Sequence, residues 1–173
     1  MEAEKPLINR VAESGLITIN LEKFFPEGEL AVFDIKDYLF MELILKEKDF
    51  REALKQHDWT QYRDKILLVY CSTDAIIPTW AFMLVAANAA PFAKDIFQGE
   101  ESGYYQAAFL KALASLDGAA YEQQRIVIKG CSDKPVPAAA YVELTRILQP
   151  YAQSIMFGEP CSTVPVFKRP RSL

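Results

Sequence analysis

Apolar positions along the chain follow two periods. Leu16, Ile17 and Ile19 make a short β-prone run, Phe25-Pro26-Glu27-Gly28 is turn chemistry, and Leu30 to Ile35 is a second strand-like run. Together they predict an N-terminal β-hairpin. Tyr38 to Leu45 is apolar with neither period, and helix and strand are both open there. Phe50, Ala53 and Leu54 then keep the i, i+3, i+4 spacing of a helix face, with Asp49 as N-cap. Ile66-Leu67-Leu68-Val69 is continuously apolar, as in a strand covered on both faces. Pro78 to Ala90 predicts a core helix, with Pro78 in the first turn, where the missing N–H costs nothing, and Pro91 at the end.

This pattern occurs twice. Residues 50–100 and 109–159 both open with Phe-x-x-Ala-Leu and carry matching aspartate and tyrosine, Asp58 and Tyr62 against Asp117 and Tyr121. An apolar run leads to Cys-Ser in each, Ile66 to Cys71-Ser72 and Ile126 to Cys131-Ser132, followed by Asp74 or Asp133. Pro78 or Pro137, then Pro91 or Pro150, then Gly99-Glu100 or Gly158-Glu159 complete the match, with two one-residue gaps. The expectation is an internal duplication, helix-strand-helix-strand twice. Short strand–helix–strand connections imply parallel pairing. The predicted fold is therefore α/β, a largely parallel sheet built from the duplication with the N-terminal hairpin. We read residues 1–173 as a single domain: arm 1–49, copies 50–100 and 109–159, tail 160–173. The helix at Pro137 to Gln149 is amphipathic, with Glu143 and Arg146, whereas Pro78 to Ala90 is apolar nearly all round, which suits deep burial or a dimer contact.

Composition narrows the class. The chain has 173 residues, 51% hydrophobic and 24% charged, which is globular rather than disordered composition. A net charge of −4 argues against nucleic acid as partner. Glu2, Glu4, Glu13 and Glu22 leave no signal-type apolar run near the start, and Pro78 and Pro91 break the one long apolar stretch, so neither export nor a membrane span is expected. The expected compartment is cytoplasmic. Three cysteines, an odd and sparse number, do not read as a disulfide framework.

Those cysteines are the candidate chemistry. Cys71 and Cys131 are expected at strand ends just before helices, the edge where α/β sheets bind ligands and where helix N-termini lower thiol pKa values. Cys161 follows Gly158-Glu159-Pro160 past the last strand and would leave at the same edge if all strands are parallel. Three thiolates with a fourth ligand from Asp74, Asp133 or the single histidine, His57, would suit zinc, iron or an iron–sulfur cluster. The spacings match no ligand motif. A buried cysteine often acts as a small hydrophobe, so packing is the competing reading. A reactive thiol or sulfur carrier at Cys131 is the third, since Cys131-Ser-Asp-Lys134 puts thiol, hydroxyl, carboxylate and amine at one helix start. His57 reads as a helix-end residue suited to the dipole, and Asp74 and Asp133 read equally well as helix caps. Trp59 and Trp80 read as packing residues. No phosphate loop is present. Lys168-Arg169-Pro170-Arg171 reads as a solvated terminus.

Three segments, 130–137, 141–146 and 156–165, carry the motifs GCSDKPVP, YVELTR and MFGEPCSTVP. With Asn9-Arg-Val-Ala12 and residues 44–51 they resemble a bacterial family known as domain of unknown function 2480 over nearly the whole chain. The resemblance implies no established activity. It does imply association with SUF-type iron–sulfur assembly, hence iron–sulfur assembly proteins as partners, and it favours metal, cluster or sulfur handling by the cysteines. The leading expectation is a cytosolic thiolate metal- or iron–sulfur-binding accessory. The alternatives are a reactive-thiol enzyme using Cys131 and a non-catalytic interaction protein, with a homodimer as its expected assembly, whose cysteines pack.

Overall fold

The computed structural model describes residues 15–130 and 133–170. In chain order they form β1 (Leu16–Asn20), β2 (Leu30–Asp34), α1 (Glu47–Gln56), β3 (Ile66–Tyr70), α2 (Thr79–Ala89) and β4 (Asp95–Gln98). Then come α3 (Glu101–Leu113), β5 (Arg125–Lys129), α4 (Ala138–Leu148), β6 (Ser154–Glu159) and β7 (Ser162–Lys168). The α/β class and the mostly parallel pairing are as expected, but the strands divide between two sheets, β1-β5-β6-β7 and β2-β3-β4. The chain divides into two compact units, residues 26–105 and residues 1–25 with 106–173, the boundary falling inside α3. The expected strand–turn–strand run is present as β1 and β2. The two strands do not pair with each other: β1 lies parallel to β5, and β2 parallel to β3. Among the described residues no helix is long and apolar enough to cross a membrane.

In the unit of residues 26–105, β3 is central, with Leu30 opposite Ile66 on one side and Asp95 opposite Ile66 on the other. Ile66 to Val69 are all buried, which is why this run is apolar without alternation. Leu67 and Val69 join a core with Phe33, Phe50, Leu54 and Trp59. The helix α1 starts earlier than the sequence suggested, with Lys46 at the N-cap position and no side-chain cap. Asp49 therefore lies in the first turn, where its charge still suits the helix dipole. The ambiguous stretch, Tyr38 to Leu45, begins at the last residue of a 3-10 helix, Ile35–Tyr38, and continues as a tight turn in which Leu43 N–H donates to Phe40 O. Met41 (φ 50°) and Glu42 (φ 59°) occupy the left-handed region in that turn, and their neighbours Phe40, Leu43 and Ile44 are exposed.

In the other unit β1, β5 and β6 are parallel, and β7 returns antiparallel along β6 after Pro160 and Cys161. Ile126, Ile128 and Ile155 pack with Phe109 and Leu113 of α3 and with Ala140, Leu144 and Leu148 of α4. A bulge lies where Ile155 faces Phe167 and Met156 faces Pro165, leaving Val166 as the extra residue. Arg169 is not a loose tail residue. Its guanidinium donates to the carbonyls of Gln149, Pro150 and Ala152, just past the end of α4.

Helix, 3-10 turn, strand, helix and strand recur in the same order in both units. From the 3-10 turns Trp59–Tyr62 and Gly118–Tyr121 onward, each element starts at one constant offset from its counterpart. Asp58 and Asp117 cap the two turns through Oδ1, accepting from Thr60 N and Ala119 N. Pro78 and Pro137 sit at the N-cap, one place before the helix rather than in its first turn. No gap is needed in this structural register. Leu67 and Val69 enter one core where Ile126 and Ile128 enter the other. Aligning Ile66 with Ile126, as matching the Cys-Ser pairs requires, would slip the strand by one residue and turn its side chains to the wrong face.

Candidate functional site

Because β3 ends at Tyr70 and β5 at Lys129, Cys71 stands level with Gly130, which has φ 151°. The position level with Cys71 is therefore a glycine. Cys131 and Ser132 lie outside the described residues. Cys71 is half-buried against the core of its unit, and its thiol lies 3.3 Å from Thr73 Oγ1. Beside it, Asp34 Oδ1 accepts from the backbone N–H groups of Lys36 and Ser72, each at 3.0 Å. Burial alone would raise the Asp34 carboxyl, but these bonds and that of the Ser72 side chain outweigh it and hold the pKa below the usual range. Asp74 is exposed. It does not cap α2, which has no side-chain cap.

Cys161 is exposed in the turn between β6 and β7. Since β5 and β6 are parallel neighbours, it lies at the same sheet edge as Gly130. Here Glu22 Oε1 accepts from Asp133 N–H at 3.0 Å, and Lys134 Nζ lies 5.2 Å from the Phe25 ring centre. Tyr141 OH donates to the Gly130 carbonyl, and Lys129 pairs with Glu159 at 3.0 Å. Asp133 is exposed and does not cap α4. Cys71 and Asp74 follow β3 of one sheet, whereas Asp133 follows β5 and Cys161 follows β6 of the other. Among the described residues no three His, Cys, Asp or Glu side chains group as metal ligands would.

His57 sits in a network of ring and hydroxyl contacts. It is the C-cap of α1, with Nδ1 3.1 Å from Tyr38 OH and Nε2 3.0 Å from Tyr62 OH. Stacked Phe33, Tyr38 and Trp59 rings surround it. Burial pushes its pKa down against the opposing charge of Asp58, and burial with Tyr38 nearby pushes Tyr62 up to about 12. Its place at the end of α1 is the expected one, and burial there favours the neutral ring between the two hydroxyls. Trp59 packs as expected and donates Nε1–H to Leu54 O at 2.9 Å.

The sequence reading missed two clefts in the unit that contains β5, β6 and β7. One, of about 380 Å³, lies between α4 and the strands and is lined by residues including Ile128, Tyr141, Val142, Thr145, Phe157 and Val166. Its polar side-chain atoms are engaged: Thr145 Oγ1 donates to Tyr141 O and Tyr141 OH to Gly130 O. Val142 is 69% exposed and Val164 60%, with Phe157 and Val166 exposed beside them. The other cleft, of about 470 Å³, is lined by Arg125, Gln153, Ser154, Met156, Pro165 and Lys168. The only sequence signal for the first was the apolar Val164-Pro165-Val166-Phe167 run.

Residues 5–169 match the model of a family described as Protein of unknown function (DUF2480). No curated protein and no solved structure matches the chain.

Proposed function

The chain belongs to this DUF2480 family, and from its own geometry we propose that it is a non-catalytic interaction protein that self-associates through the apolar face formed by α4, β6 and β7. The observation that carries this reading is the cleft with exposed Val142, Phe157, Val164 and Val166 around it, whose polar groups are already hydrogen-bonded. A polar ligand would find nothing to bond there, whereas an apolar surface would lose no hydrogen bonds. The occupant is a second copy of the chain. The nearby charges are matched pairs, Glu143 with Arg146 at 2.6 Å and Lys129 with Glu159, so two identical faces can meet without net repulsion. Strand addition is disfavoured, because Pro165 and the bulge blunt β7 as an edge. This face replaces α2 as the candidate contact. On α2 the buried Ala81, Val85 and Ala89 face the core, and Met83 is its one large exposed apolar side chain.

A patch of four side chains supports a weak dimer. Sedimentation equilibrium should show a monomer–dimer equilibrium that Val166→Glu abolishes and Met83→Glu on α2 leaves intact. A wild-type monomer at all concentrations, or a dimer indifferent to Val166→Glu, overturns the proposal.

One observation favours a narrower thiol reading. Cys161 follows β6, and Cys131 comes one residue after Gly130, which follows the neighbouring parallel strand β5. That supports a site of Cys131 and Cys161 for zinc, iron or a cluster, with Asp133 rather than Cys71 or Asp74 as the nearby oxygen ligand, or a reactive Cys131. Iron–sulfur assembly proteins are the partners the family resemblance implies for it. Anaerobic purification with metal and sulfide analysis tests this reading: stoichiometric metal that is lost in Cys161→Ala and kept in Cys71→Ala would support it.

A further inference from the structure

The second cleft lies on the sheet face opposite α3 and α4. Register puts Arg125 opposite Ser154 and Ser154 opposite Lys168, so the three side chains form one row across β5, β6 and β7. Residues paired across strands share a face. Ile126, Ile155 and Phe167, the next residues along or before them, turn to the helix-covered core instead. Met156 faces Pro165 one step farther along the row's face, giving the cleft an apolar wall. Adjacent strands are about 4.8 Å apart, so the backbones carrying the two cations stand roughly 10 Å apart with a hydroxyl between them.

We propose that this cleft binds a small organic anion, with an oxyanion head of carboxylate or phosphate type and a short apolar body. The two cations and the Ser154 hydroxyl receive the head, and Met156 and Pro165 receive the body. No carboxylate is among the lining residues. Lys168 has no acidic partner and Ser154 Oγ no hydrogen bond among the described residues, so the cation and the hydroxyl are not spent on the fold. The volume is larger than a bare inorganic anion needs and lies within the range of roughly 300–1,000 Å³ usual for small-ligand sites. The platform is rigid where it matters. Arg169 N–H donates to Gln153 O at 2.9 Å, and its guanidinium grips three carbonyls, which fixes Lys168 beside Ser154.

The test is a titration of the full chain, followed by amide NMR, with phenyl phosphate, benzoate and, as neutral control, benzyl alcohol. Either anion should give saturable shifts at the Ser154, Met156 and Lys168 amides that weaken with added salt, and the stronger of the two identifies the head. Arg125→Gln with Lys168→Gln should weaken binding roughly tenfold or more, and Lys168→Arg should retain it. Both residues are exposed, and a wild-type spectrum away from the cleft checks that the double variant is folded. No saturable shift at these amides, an equal response to benzyl alcohol, or undiminished binding in the folded double variant would each overturn the proposal.

Discussion

Gly118 stands where the fold leaves no room for a side chain. It opens the 3-10 turn before β5 and is buried. A Cβ added there would lie 2.6 Å from the Ile147 carbonyl oxygen and 2.9 and 3.0 Å from two ring carbons of Tyr151. The tyrosine is part-exposed and can turn aside. The carbonyl cannot, because it belongs to the backbone of α4, whose end is fixed by Tyr151 N–H to Leu148 O and Gln123 N–H to Tyr151 O. Restoring an ordinary contact requires the turn and the helix to separate by roughly 1 Å. That would loosen the packing of Tyr121 and Ile147 against the core. The cost expected for Gly118→Ala is that of overpacking, about 1–3 kcal/mol, or a melting temperature lower by roughly 2–10 °C for a chain of this size. Gly103→Ala is the control. Its added Cβ would meet only the Phe97 ring at 3.3 and 3.4 Å, and it sits within α3, where alanine favours the helix by up to about 1 kcal/mol. Urea and thermal unfolding of both variants should show Gly118→Ala clearly destabilised and Gly103→Ala unchanged or stabilised. Equal stability of Gly118→Ala and wild type would refute the close approach of α4 to this turn.

Two further predictions follow from local geometry. Burial lowers the His57 pKa, so the unfolded chain binds the extra proton more readily. The stabilisation from its neutral form is complete above the unfolded value near 6.5 and is lost as pH falls through the folded value. His57 is the only histidine, so His57→Gln should remove that part of the pH dependence of urea unfolding between pH 7.5 and 5; an unchanged slope would contradict it. Gln123 holds φ 57° just before β5, a conformation that costs a non-glycine residue about 1–2 kcal/mol. Gln123→Gly should raise stability by about 0.5 kcal/mol after the added entropy of the unfolded chain, and a drop in the urea midpoint would contradict this.

The elements that burial dictates were legible in the sequence. Ile66 to Val69 is continuously apolar because both faces of β3 are buried, and Phe50 and Leu54 mark the inner face of α1. Pairing was less legible. Phe25-Pro26-Glu27-Gly28 breaks the chain between β1 and β2 whether those strands pair with each other or join separate sheets, since a turn signal states where a strand ends and not what it bonds to. Gly118 and Trp59 open equivalent turns with opposite sizes, one admitting a helix backbone and the other filling the space with a ring. No local pattern predicts that exchange.

The cysteines show the same limit at the level of a site. Matching Cys71-Ser72 to Cys131-Ser132 follows residue identity, but a strand cannot absorb the one-residue gap this demands without exchanging its buried and outward faces. Burial of Leu67 and Val69 in one core and of Ile126 and Ile128 in the other decides the register, and it sets Cys71 against Gly130. The row of Arg125, Ser154 and Lys168 is the converse case. Its members are far apart in the chain and share no motif, and only the pairing of three strands places them side by side. A reading based on recurring residue types favours the cysteines, whereas hydrogen-bonded register favours the cations. Register is the stronger ground, because every ladder bond along β5, β6 and β7 would have to be remade to move one of those side chains out of the row.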